Sequence, residues 1–175
     1  NIKLSPIAKE SEFIEYKANS KKFTEYNDSD SNKITGVVIT SEDLDITSCS
    51  KIKLPDFIYL LPFTEEESVL YSENVKQFKS KLCDDMSSGL SSSTINLTTH
   101  ESSSILEWAT KHKIERIITL ATPSGYINDH LMSIKNDLKA NSIELVKVFR
   151  DYDMQYWNYA SKGFFNFFQK AIKKI

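Results

Sequence analysis

Five short runs of β-branched and aliphatic residues alternate with stretches of helical spacing, and this alternation limits the fold more than any other property of the chain. The strand-like runs are Ile34–Thr40 (ITGVVIT), Phe57–Leu61 (FIYLL), Thr94–Leu97, Arg116–Ala121 (RIITLA) and Ile143–Phe149. Each is short, rich in Val, Ile, Leu or Thr, and bounded by polar or turn-forming residues, as buried strands are. Pro55 and Pro62 flank the second run, where a missing backbone N–H costs no ladder bond. Gly36 inside the first run points to a close backbone approach.

Between these runs lie helix signals. Thr64 and Glu67 have capping-box spacing, and Val75, Phe78 and Leu82 follow as an apolar stripe. Thr98 and Glu101 repeat the box ahead of Ile105, Leu106, Trp108 and Ala109, with His100 in the capping turn. After the fourth run, Ile127, Leu131, Ile134 and Leu138 define one narrow stripe, with Asn141 as its stop. A polar-aromatic loop, Arg150-Asp151-Tyr152-Asp153, then leads to a final helix; Arg150 is expected to pair with its neighbouring aspartates, the alternative being that the loop meets a ligand or a neighbouring domain. Strands alternating with helices imply a mostly parallel sheet covered on both faces. Right-handed crossovers then lead to a doubly wound, Rossmann-like or flavodoxin-like sheet of five strands, spanning residues 34–175. Residues 1–33 read as an extension, with a possible short helix over Ser5–Ala18 and a polar linker at Asn27–Asn32 (NDSDSN).

Composition removes several function classes. The formal charge of −2, with 22 cations against 24 acids, is wrong for a polyanion-binding domain. Arginine, the bidentate phosphate reader, occurs only at positions 116 and 150. With glycine confined to positions 36, 89, 125 and 163, neither a dinucleotide fingerprint nor a P-loop can be drawn. Cys49 and Cys83 lack metal-ligand spacing and read as reduced thiols of an intracellular, cytoplasmic protein. His112 and His130 belong to no ligand cluster, no apolar run is long enough to span a membrane, and no membrane partner is expected. The sequence opens on Asn1 rather than methionine, so a further domain stays in view.

In a parallel sheet, ligands bind beyond the carboxyl ends of the strands. The loop after the fourth run, Thr122-Pro123-Ser124-Gly125-Tyr126, is the candidate cofactor- or ligand-binding segment, through Thr122, Ser124, Gly125 and Tyr126. Its structural alternative is that Thr122 or Ser124 caps the following helix while Gly125 makes the turn. No catalytic residue and no metal ligand stand out.

The C-terminal stretch YWNYASKGFFNFFQKAIKKI is the most ring-rich of the chain. Phe164, Phe168, Ala171, Ile172 and Ile175 share one helical face, expected to close the sheet. Trp157, Tyr159, Phe165 and Phe167 are the surplus, expected to meet a partner. Lys170, Lys173 and Lys174 suit a solvated face at the helix end. Taken with the RDYD loop, Trp157, Ala160 and the preceding ATPSGYINDHL and NSIELVKVF, the SKGFFNFFQKA run resembles the end of the α/β domain of photolyase- and cryptochrome-like flavoproteins. The resemblance covers roughly Ser102–Ile175. It implies an antenna-type α/β domain docking on a flavin-binding helical domain, with FAD or an antenna chromophore in the full-length protein and DNA reached only through that partner. An activity, if present, would be that of a deoxyribodipyrimidine photolyase-like lyase not carried by this chain alone. The other reading is a stand-alone flavodoxin-like module without catalysis, binding a small ligand or a protein at the loops after the first and fourth strands.

Overall fold

A computed structural model describes residues 32–90, 96–99, 104–160 and 163–173. The expected N-terminal helix, most of the polar linker, His100 and Glu101 lie outside them. Chain contacts divide the protein into two compact units, Phe23–Gln155 and a second one combining Asn1–Lys22 with Tyr156–Ile175.

The first unit is α/β and Rossmann-like. Its strands are β1 (Thr35–Thr40), β2 (Phe57–Leu61), β3 (Asn96–Thr99), β4 (Arg116–Leu120) and β5 (Glu144–Val148). Every pairing is parallel, and the spatial order is β3-β2-β1-β4-β5. Because side chains alternate along a strand, the sheet has two apolar sides. One gathers Val38, Tyr59, Leu61 and Ile117, the other Val37, Ile39, Ile58, Leu60 and Ile118.

The helices are α1 (Glu65–Leu70), α2 (Glu73–Gly89), α3 (Ile105–Lys111), α4 (Tyr126–Ser133), α5 (Lys135–Ala140) and α6 (Asp151–Tyr156). Helices α3, α4 and α5 send Ile105, Trp108, Ala109, Ile127, Leu131 and Leu138 into the first layer. Helix α2 sends Cys83 and Met86 into the second. Both cysteines are buried free thiols of that second layer.

Gly36 marks the tightest packing. A Cβ built there would lie 2.5 Å from Trp108 Cη2 and 2.8 Å from Ile114 Cδ1. The indole can reach the strand only because position 36 has no side chain.

The helix signals need four corrections. The box at Thr64 is present, with Glu67 N–H donating to Thr64 Oγ1 at 3.2 Å and Thr64 N–H to Glu67 Oε2 at 2.8 Å. The helix that it opens nevertheless stops at Leu70, because Tyr71 turns extended and Ser72 starts α2. Along α2 the expected stripe is wrong: Val75 and Phe78 are exposed, and Cys83 with Met86 faces the core. Thr98 lies in β3; the box that opens α3 is Ser104–Glu107, with both bonds at 3.1 Å. Finally, the segment after β5 is the helix α6 followed by a 3-10 turn at Trp157–Tyr159, where a loop is expected. The stripe of Ile127, Leu131 and Leu138 holds, although the helix breaks at Ile134.

Candidate functional site

β1 has β2 on one side and β4 on the other, so the chain leaves the centre of the sheet in opposite directions after β1 and β4. Sheets with this order bind ligands in the crevice between two such exit loops at the carboxyl edge, and the β1 and β4 loops hold that position here.

From β1 the chain turns sharply. Ser41 N–H donates to Leu61 O at 3.0 Å, Ser41 Oγ donates to Pro62 O at 2.5 Å, and Asp43 N–H returns to Thr40 O at 3.0 Å. Glu42 and Asp43 are thereby fixed at the crevice rim. Asp43 takes both terminal nitrogens of Arg150, with Nη2 to Oδ1 at 2.7 Å, and Nη2 also donates to Asp45 O at 2.5 Å. Arg150 therefore does not pair with its sequence neighbours as expected. Asp151 instead meets Lys51 at 2.6 Å. A planar guanidinium matches one carboxylate in two parallel bonds, and a carboxylate beside it in sequence cannot present that geometry so readily.

From β4 the chain is held by Ala121 N–H to Val148 O at 2.9 Å. Thr122 follows with its hydroxyl oxygen buried and without a hydrogen-bond partner. Gly125 is the N-cap residue of α4, nearly fully extended at φ 159°, and no side chain caps the helix. Neither Thr122 nor Ser124 therefore performs the capping role that sequence allows them. A Cβ at position 125 would face Glu42 Oε1 at 3.9 Å, so the β1 carboxylate stands beside the open start of α4. Ser124 and Tyr126 are exposed. Of the four residues expected to bind a ligand, Thr122 and Gly125 are thus half-buried in the β4 exit loop.

Glu67, Tyr71, Lys79 and Glu42, none of them assigned to a site from the sequence, are coupled beside these loops. Glu67 is only 3% exposed, yet it accepts from Tyr71 Oη at 2.6 Å and from Lys79 Nζ at 3.2 Å as well as from the Thr64 N–H. Lys79 also lies 4.7 Å from the centre of the Tyr71 ring. Burial pushes the Glu67 carboxyl up, but the bonds from Tyr71, Thr64 and Lys79, with the lysine's charge, outweigh it and hold it below the ordinary range. Glu42 shifts the other way: burial raises it, the charge of Glu67 adds to the rise, and Lys79 opposes both. These couplings tie the β1 loop to α1 and α2. Glu67 was traceable through its capping box. Glu42 had no local signal, because its role depends on two loops about 80 positions apart meeting in space.

This rim is chemically selective. A phosphate at the start of α4 would have to displace or face the Glu42 carboxylate, while Arg150 and Lys79 already hold acidic partners. The crevice therefore does not fit a dinucleotide diphosphate. A neutral or donor-bearing group would meet no such repulsion at the Glu42 carboxylate. Among the described residues, no group of His, Cys, Asp and Glu could hold a metal ion. Cys83, pushed up to about 11 by burial, the Asp84 charge adding and Lys79 opposing, stays a thiol at neutral pH.

The C-terminal segment is described by itself. Its helix α7 (Phe164–Ala171) starts after Gly163, whose φ of 80° favours glycine. The expected faces hold only in part. Phe164, Phe168 and Ile172, assigned inward, are exposed, the last two at 49% and 53%. Ala171 is buried and Phe167 half-buried. Positions 167 and 171 are one turn apart, so the covered side of the helix runs through them. Of the residues assigned to a partner, Trp157 and Phe165 are exposed, Phe165 at 81%, whereas Tyr159 and Phe167 are half-buried. Among the described residues no helix is long and apolar enough to cross a membrane.

No protein-family model matches this chain, and no curated protein matches it.

Proposed function

We propose that this chain is a small-ligand-binding α/β module without catalytic activity, built on a doubly wound sheet of five strands, with its site at the carboxyl ends of β1 and β4. The observation that carries the reading is the buried, partnerless hydroxyl of Thr122 in the β4 exit loop. A buried polar group left unsatisfied costs roughly 1–3 kcal/mol, and a ligand that bonds to it recovers that cost. Binding is favoured over turnover because the buried acid Glu67 is committed to the α1 cap and to Lys79. The test is thermal denaturation against riboflavin, adenosine and folate. A ligand at a hundred times its dissociation constant stabilises by about 2.7 kcal/mol, a readily measured shift. We expect at least one shift, lost in Thr122→Val; no shift with any of the three refutes the reading.

A second reading, a photolyase/cryptochrome-like α/β domain docked on a flavin-binding helical domain, is favoured by the exposure of Trp157 and Phe165. It requires the full-length protein to carry a flavin absorbing near about 450 nm, a property of the cofactor itself. A colourless full-length protein sinks it.

A further inference from the structure

Helix α7 carries an apolar stripe that is exposed among the described residues. At 3.6 residues per turn, Phe164, Phe168 and Ile172 stand one above another and Phe165 lies beside them. All four are exposed, and Trp157 just upstream is 55% exposed. The rings form one patch: Phe164 is 5.8 Å from Phe168, stacked, and 5.7 Å from Phe165, edge on. The opposite, polar arc holds Asn166, Gln169, Lys170 and Lys173.

Charge decides what this stripe meets. After Asp153 the sequence has no acid and four lysines, 162, 170, 173 and 174, so the rest of the chain carries a formal −6. The C-terminal stretch that carries the stripe is thus strongly basic within an acidic protein. A protein–protein interface is depleted in lysine at its centre and uses polar groups to set register, and the stripe itself offers none. Phe on one side of a helix with lysines on the other is the pattern of helices lying in a lipid interface, where the rings sink among the acyl chains and the long lysine stems reach back to the headgroups.

We propose that helix α7, together with Trp157, is a membrane-surface element that adsorbs to anionic lipid without crossing the bilayer. This inference does not depend on the crevice between β1 and β4. Each lysine near an anionic surface strengthens partition about fivefold, and the effect is screened by salt.

The test is co-sedimentation of the full chain with phosphatidylcholine vesicles, with and without phosphatidylserine, read together with tryptophan emission. Trp108 is buried, so a blue shift on binding reports Trp157. We expect binding to the phosphatidylserine vesicles only, weakened roughly 20-fold by Lys170→Gln with Lys173→Gln and abolished by Phe165→Ser with Phe168→Ser, at unchanged circular dichroism. Three results overturn the proposal. They are no binding to anionic vesicles, equal binding to neutral ones, and lipid-free self-association through the stripe that Phe165→Ser abolishes, which would make it a protein interface.

Discussion

Replacing Gly36 by alanine tests the packing that places α3 on the sheet. The added methyl group would meet Trp108 Cη2 at 2.5 Å, well inside van der Waals contact, and Ile114 Cδ1 at 2.8 Å. The Ile114 methyl is the end of a flexible side chain and can swing away. The indole cannot. It is 1% exposed, with Tyr59 at 5.4 Å and His112 at 6.5 Å between ring centres, so relief requires shifting α3 or bending β1. Overpacking of this kind costs about 1–3 kcal/mol, a sizeable part of the roughly 5–15 kcal/mol of an ordinary domain. With a urea slope of about 1–3 kcal/mol per molar, the midpoint should fall by about 1 M at unchanged slope. Circular dichroism and Trp108 emission should report the same transition. The second arm is Trp108→Phe, which shortens the ring and opens a hole. Combined with Gly36→Ala, the methyl fills part of that hole, and the double variant should be more stable than the sum of the single losses by at least about 0.5 kcal/mol. A midpoint loss in Gly36→Ala below about 0.2 M, or strict additivity in the cycle, refutes the steric argument.

Three further outcomes follow from the carboxyl rim and the C-terminal helix. The Glu67 carboxyl lies below its unfolded range, so its stabilisation is present at neutral pH and is lost as pH falls through its folded-state value. Glu67→Gln should therefore flatten the acid limb of a midpoint-against-pH curve, and an acid limb as steep as the parent's contradicts the assignment. Arg150→Met should cost about 1–2 kcal/mol in thermal denaturation, the pair being roughly a quarter exposed on each side, whereas Asp151→Ala should stay within about 0.5 kcal/mol. The reverse ranking would restore the local pairing. Phe165→Ser and Phe168→Ser should each alter stability by no more than about 0.5 kcal/mol, and unfolding of the Phe168 variant would mean that this ring is inside.

The strands were legible because β-branched runs between turns announce themselves locally; Phe57–Leu61 matches to the residue. Gly36 was legible for a similar reason, since glycine in a strand core needs a neighbour to explain it. The errors share one cause, which is that the deciding partner is remote in sequence. Phe78 looked like core because it is apolar at helical spacing, but the face of α2 is chosen by where Cys83 and Met86 find the sheet. Arg150 found Asp43, 107 positions away, over the aspartate beside it. The exit loops of β1 and β4 could be named as places for a ligand, yet Glu42 gained meaning only once strand order brought it to Gly125.

The central position of β1 has a consequence during synthesis. Thr35 is in register with Arg116, and Ile34 N–H is held by Glu115 from 81 positions on, so one edge of β1 is completed only by a much later strand. At about 5–20 residues per second, the ribosome leaves that edge open for roughly 4–16 s, with β2 as the earliest partner. An open strand edge is a template for a foreign strand. Ribosome stalling between β2 and β4 should therefore leave nascent chains more prone to aggregate than stalling after β4.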